Sequence, residues 1–104
     1  MIAMDTAFTL LADPGRRRIL DLLRTGERSV GEICAVLPIS QPGVSKHLRL
    51  MREAGLVSAR ADAQRRLYRL EPGPLEELDL WLAPFRQFWS GRLDALERHL
   101  DQES

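Results

Sequence analysis

Several features are scarce or absent in this 104-residue chain, and each absence narrows the class of protein. A single cysteine excludes a disulfide within the chain. No apolar run approaches the roughly 20 residues that a membrane-spanning helix needs. Residues 1–11 contain Asp5 but no basic residue, which argues against a signal peptide. We therefore expect one small cytoplasmic domain that does not associate with a membrane.

Catalytic motifs are also missing. The chain has two histidines, no glycine-rich phosphate loop, and no Ser/His/Asp set at a plausible spacing. We predict that the protein is not an enzyme.

The net charge is zero, but the charges are unevenly distributed. Residues 14–70 contain 12 Lys and Arg against 5 Asp and Glu, a balance of +7. Residues 71–104 contain 3 Arg against 8 acids, a balance of −5, and residues 1–13 add −2. A basic centre of this kind can face an anionic polymer while the acidic end faces elsewhere.

Capping signals predict the helices of the first half. A short helix is expected over residues 4–12, and Asp13-Pro14 then marks a new start, with Asp as N-cap and Pro at the first helical position. Ser29 and Glu32 have the spacing of a capping box, which opens a third helix. Pro38 ends that helix, and a fourth follows closely, so we predict a helix-turn-helix over about residues 29–54.

The fourth helix has two contrasting faces. Ser40 is a good N-cap and Gly55 a good C-terminal stop. Val44, Leu48 and Met51 share an apolar face. The other side carries amide, hydroxyl and cationic groups: Gln41, Ser45, Lys46, Arg49 and Arg52. Such a face can enter the major groove of DNA; the alternative is an ordinary surface helix.

Short strands of alternating pattern, 56–60 and 66–70, predict a hairpin with residues 61–65 between them. The loop has no Gly or Asn, so its turn type is open. A basic hairpin beside a helix-turn-helix is called a wing and suits contact with the DNA backbone; the alternative is a sheet edge kept soluble by charge. The predicted DNA contacts are therefore Ser40, Gln41, Ser45, Lys46, His47, Arg49, Arg52, Arg60, Arg65 and Arg66, although His47 flanks the core face and could serve packing instead.

A long apolar helical pattern runs from Leu75 to about Asp101, and Pro84 should kink or divide it. A terminal helix this apolar on a domain this small favours a second copy as its partner, although it could fold back onto its own core. A twofold dimer would also place two recognition helices about 34 Å apart, one turn of DNA. The predicted dimer residues are Phe8, Leu11, Trp81, Phe85, Phe88, Trp89, Leu93 and Leu96.

The order of these elements resembles the ArsR/SmtB family of bacterial winged-helix repressors. The resemblance rests on four stretches, residues 13–20, 40–48, 53–57 and 65–70. It implies a mainly α-helical winged helix-turn-helix with a small β-hairpin, a homodimer joined through its N- and C-terminal helices, and a repressor that binds double-stranded DNA, often at its own operon. By the same resemblance Gln41, Ser45 and Lys46 face the groove, with Arg49 on the same flank.

The chain departs from the metal sensors of that family. Their third helix carries a Cys-x-Cys type motif, whereas here Cys34 is followed two positions later by Val36. One thiolate cannot close a tetrahedral metal site, and Cys34 lies on the apolar stripe, where a core cysteine is the default. Other members bind zinc between terminal helices, for which this chain offers only His99, Asp94, Asp101 and Glu103. Asp94 and His99 are five residues apart and so lie on different helix faces.

We therefore predict no metal and no cofactor, and no effector can be named. One alternative is a member of the family gated by a small molecule or metal at the aromatic dimer contact, although such a stripe more commonly forms core. Another is a winged helix used only for protein contacts. That alternative predicts acids or exposed apolar residues on the fourth helix and hairpin, where this chain has Arg and Lys.

Overall fold

The computed structural model describes the backbone of residues 4–103 and the side chains of residues 5–92 and 94–100. In chain order the elements are α1 Met4–Leu11, α2 Pro14–Leu23, α3 Val30–Val36, α4 Gln41–Glu53, β1 Val57–Asp62, β2 Arg65–Leu70 and α5 Gly73–Glu103. The predicted mainly α-helical fold with one small hairpin is confirmed. The predicted dimer residue Leu93 has its side chain outside the described residues.

The N-terminal caps form as their spacing predicts. The Asp13 carboxylate accepts from the backbone N–H of Arg16 at 3.2 Å, and this bond lowers the pKa of Asp13. Ser29 and Glu32 complete the capping box in both directions, at 3.2 and 3.0 Å. The Ser40 hydroxyl caps α4 at 3.2 Å. The starts of α2, α3 and α4 are therefore fixed by local hydrogen bonds.

The C-terminus of α4 is a Schellman motif. Gly55 has a φ of 76°, and its N–H donates to the Arg52 carbonyl at 3.0 Å. The N–H of Leu56 donates to the Met51 carbonyl at 2.9 Å, and both of these side chains are fully buried. The reversal directs the chain from α4 into the hairpin.

Gly55→Ala is expected to lower the free energy of unfolding by about 1–2 kcal/mol, because an L side chain is disfavoured at this positive φ. Gly91→Ala is the matched control, since Gly91 lies inside α5 with nothing near its added Cβ. That variant should gain up to about 1 kcal/mol from helix propensity. Denaturant unfolding measures both, and equal changes would contradict the assignment of the motif.

The core lies between the helices of the first half and the start of β1. Its fully buried members are Ile19, Ile33, Val44, Leu48, Met51 and Leu56. The predicted apolar face of α4 is thus confirmed. In α1 the buried side chains are Ala7 and Leu10, whereas Phe8 is exposed and Leu11 is half-buried. Phe8 therefore keeps 41% of its surface exposed for other contacts.

The hairpin is tighter than its sequence indicates. Its register runs from Val57 opposite Leu70 to Asp62 opposite Arg65, so only residues 63 and 64 connect the strands. The loop predicted over residues 61–65 is therefore three residues too long. Ala63 adopts a φ of 57°, supplying without Gly or Asn the left-handed conformation that such turns need.

A third segment pairs with the hairpin. The backbone of Arg28, just before α3, exchanges hydrogen bonds of 3.0 and 2.8 Å with Tyr68 of β2. Leu67 is buried beside this bridge. Both contacts attach the hairpin to the helix-turn-helix.

Helix α5 is continuous through Pro84, which answers the question that the sequence left open. Pro84 has no N–H, so the Leu80 carbonyl loses its helical partner, but the helix continues. Leu75 and Leu78 pack toward the domain. Within the described residues no helix combines the length and apolar character needed to cross a membrane.

Candidate nucleic-acid interface

The outer face of α4 is a row of available polar groups. Gln41 and Ser45 are exposed near its start, and Lys46, Arg49 and Arg52 are exposed further along. Within the described part of the chain none of these three cations has a hydrogen bond or an ion pair to another residue. Their charges are therefore available to a ligand. Because the other face of α4 is buried in the core, these side chains extend into solvent.

His47 lies at the contact between α2 and α4. It is half-buried, and its Nδ1 accepts a hydrogen bond from Arg16 Nε at 3.1 Å. A Cβ added to Gly15 would lie 3.2 Å from its Nε2, so the two helices approach closely here. Of the two roles open to His47, packing is the one that this position favours over a phosphate contact.

The cations of the hairpin, which we call the wing (Val57–Leu70), fall into two groups. Arg60 Nε donates to Glu27 Oε2 at 2.8 Å, and this bond raises the pKa of Arg60. Arg65 pairs with Glu32 at 3.3 Å. Arg66 is exposed, and in the described residues it has no partner. Two of the three predicted wing contacts are therefore engaged within the protein.

Sequence reasoning missed this pairing. Glu27 lies between α2 and α3, and Glu32 belongs to the capping box of α3. No local pattern joins either residue to its partner in the hairpin, which is 33 residues away. The only indication in the sequence is that successive side chains of a strand alternate between the two faces of the hairpin. Arg60 and Arg65 alternate with Arg66 along the hairpin, so they lie on the face opposite Arg66.

The base of the wing is also anchored to the chain that leads into α5. The Ser58 hydroxyl donates to Glu71 at 2.6 Å, and Arg69 donates to both of them at 3.0 and 3.2 Å. The Ser58 bond lowers the pKa of Glu71. Arg69 therefore serves the fold, consistent with its absence from the predicted contacts.

An apolar surface lies on α1 and α5. Phe8 meets Trp81 edge-on at 5.5 Å between ring centroids, and Trp81 lies 4.9 Å from Phe85. Further along α5, Phe88 and Leu96 are 62% and 53% exposed. We call this surface the aromatic stripe: Phe8, Trp81, Phe85, Phe88, Trp89, Leu96 and Leu100. Exposed apolar surface of this size is typical of interaction sites.

Cys34 is half-buried against the core. Among the described residues no cluster of three or more His, Cys, Asp or Glu side chains could hold a metal ion.

The chain is similar to known proteins. The family model of bacterial regulatory proteins of the arsR family matches residues 13–59. The HTH-type transcriptional regulator Rv2034 of Mycobacterium tuberculosis is 38% identical over 95% of this chain and 90% of its own. The transcriptional repressor SdpR of Bacillus subtilis is 34% identical over 79% of this chain and 91% of its own.

A solved structure shows the same architecture. It is the solution structure of the homodimeric winged helix-turn-helix DNA-binding domain of Mb0332 from Mycobacterium bovis, a possible ArsR-family regulator. Its TM-score is 0.65 at 28% identity, over 80% of this chain and 78% of that one. These relatives are transcriptional regulators, and they confirm the prediction that the protein is not an enzyme.

Proposed function

The chain belongs to the arsR family of bacterial regulatory proteins, and we propose that it is a sequence-specific, dimeric transcriptional repressor that reads the major groove with α4. The observation that carries the proposal is the row of cations on α4, which lies opposite the face that the core buries and has no partners within the described part of the chain. A repressing rather than activating role is supported by the relative SdpR. Its place of action would be the cytoplasm, where bacterial DNA is found.

The roles of individual residues follow from their positions. Gln41, Ser45 and Arg49 are proposed to contact base edges, because amide, hydroxyl and guanidinium groups match the donors and acceptors of the groove. Lys46 and Arg52, with Arg66 from the wing, are proposed to bind phosphates.

A second copy is proposed to cover the aromatic stripe. The homodimeric relative from Mycobacterium bovis supports this arrangement. So does the stripe itself, because large exposed aromatic side chains are stabilised when a partner removes them from water. In a twofold dimer the same surface meets itself, and two copies of α4 can reach successive turns of one DNA face.

A fluorescence-anisotropy titration tests the function. The labelled duplex carries the sequence directly upstream of the coding region, random DNA of equal length is the comparison, and the salt concentration is varied. Lys46, Arg52 and Arg66 of two protomers make six phosphate contacts, so log K should fall with log salt at a slope of about −5. Selective binding at two chains per site is expected.

Two outcomes would count against the proposal. Absence of binding to either duplex at low salt would favour the protein-contact alternative. Equal affinity for upstream DNA, for random DNA and for a panel of other intergenic duplexes would remove the claim of sequence specificity.

A further inference from the structure

The ion pair between Arg60 and Glu27 joins the wing to the turn that precedes α3. The two side chains approach to 2.8 Å and are 55% and 34% exposed. In the described part of the chain, Arg60 is the only side chain bonded to the Glu27 carboxylate. The pair therefore lies at the surface, where a phosphate could compete for the guanidinium.

Arg65 is held in a similar way. Its guanidinium lies 3.3 Å from Glu32 and 3.3 Å from Asp62. Of the three arginines predicted to bind DNA from the wing, only Arg66 has no partner among the described residues. An arginine bonded to a carboxylate has little net charge to offer, and it must lose a charge-assisted hydrogen bond before it can bind a phosphate.

We propose that two carboxylates withhold arginines of the wing from DNA phosphate, since Glu27 holds Arg60 and Glu32 holds Arg65. These pairs limit the affinity of the protein for DNA of every sequence. Phosphate contacts supply essentially all of the affinity for random DNA and carry no sequence information. A phosphate contact adds equally to the affinity for every sequence, so the two ion pairs lower the total affinity for DNA without changing the preference for one sequence. The inference rests on the proposed function, because it requires that the wing meets DNA.

A merely structural role for the pair is less well supported by the contacts. The wing is held by the backbone bridge between Arg28 and Tyr68, by the buried Leu67, and by the network at Ser58. Exposed ion pairs stabilise proteins little. Loss of Glu27 should therefore leave the wing in place and change the charge that it presents.

The test measures the binding of full-length Glu27→Gln to a random duplex across a salt series. Release of Arg60 in both protomers adds two phosphate contacts, so the salt slope should steepen by about two units. Affinity for random DNA and for the upstream duplex should both rise about tenfold at 0.1 M salt, so the ratio of the two affinities should stay nearly constant.

Two further variants separate release of Arg60 from simple removal of an acid. Asp21→Asn removes the same charge from another exposed pair, with Arg24 on α2, and should change the slope little. Glu27→Gln/Arg60→Ala should return to the wild-type slope. If the gain persists in this double variant, or if Glu27→Gln matches the wild type, the inference is overturned. Failure of the wild type itself to bind DNA would overturn the proposed function instead.

Discussion

Arg49→Ala is expected to weaken binding to the upstream duplex by about 1–3 kcal/mol for each half-site. Arg49 lies on the exposed face of α4, one turn beyond Ser45, and its guanidinium has no partner in the described residues. Since α4 is fixed by the buried Leu48 and Met51 on its other side, the arginine is held toward whatever the helix faces. A guanidinium so placed can bond two acceptors of guanine at once.

The form of the loss distinguishes a base contact from a phosphate contact. If Arg49 reads a base, its loss should be larger on the upstream duplex than on random DNA, and the preferred base at one position of each half-site should relax. If it binds only phosphate, affinity for all sequences should fall alike and the slope should change by about two units for a dimer. Anisotropy titrations of both duplexes measure this.

Arg98→Ala is the matched control. Arg98 is exposed on α5, has no partner in the described part of the chain, and loses the same charge at a helical position. It lies on the acidic part of the chain, so its removal should leave the affinity for DNA nearly unchanged. Equal effects of the two variants would place α4 outside the DNA interface.

The elements that the sequence predicts well are those fixed by neighbours along the chain. Asp13, Ser29 and Ser40 cap helices through bonds that span two or three residues, so their residue types and spacing suffice. The buried face of α4 is also local, because the helical period alone brings Val44 and Leu48 together. The exposed face of α4 can then be predicted as well, because it comprises the remaining positions of the helix.

The features that the sequence does not reveal depend on tertiary contacts. The bridge between Arg28 and Tyr68 joins residues that are 40 apart, and no sequence pattern at either position predicts it. The partners of Arg60 and Arg65 likewise come from another element. The turn is a different case: Ala63 takes a conformation that favours Gly, because the register of the two strands leaves no longer loop. Because the ion pairs of Arg60 and Arg65 cannot be predicted, counting charges in the sequence overestimates the number of unpaired cations in the wing.

The second large effect is expected from Leu96→Glu, which should weaken dimerisation by about 3–6 kcal/mol. A buried Leu contributes roughly 1.5–3 kcal/mol relative to its exposed state, and a twofold interface loses it twice. A carboxylate facing an apolar partner adds a desolvation cost. Leu96 is about half-exposed and lies outside the core cluster, so the fold of each protomer should be retained. Sedimentation equilibrium measures the association, and thermal unfolding checks the fold.

Gln87→Glu is the control for added charge on the same helix. At 100° per residue, position 87 lies on the side of α5 opposite the aromatic stripe, so this variant should stay dimeric. If both variants remain dimeric, the stripe is not the contact between copies.

Operator binding should be lost together with the dimer in Leu96→Glu. A dimer binds both half-sites in one event, whereas a monomer must bind each one separately, without the second contact made at high effective concentration. Random DNA, which presents no paired half-sites, should discriminate less between the dimer and the monomer. A Leu96→Glu monomer that still bound the upstream duplex as tightly as wild type would mean that the two recognition helices act independently, and the dimer would then have to serve another purpose.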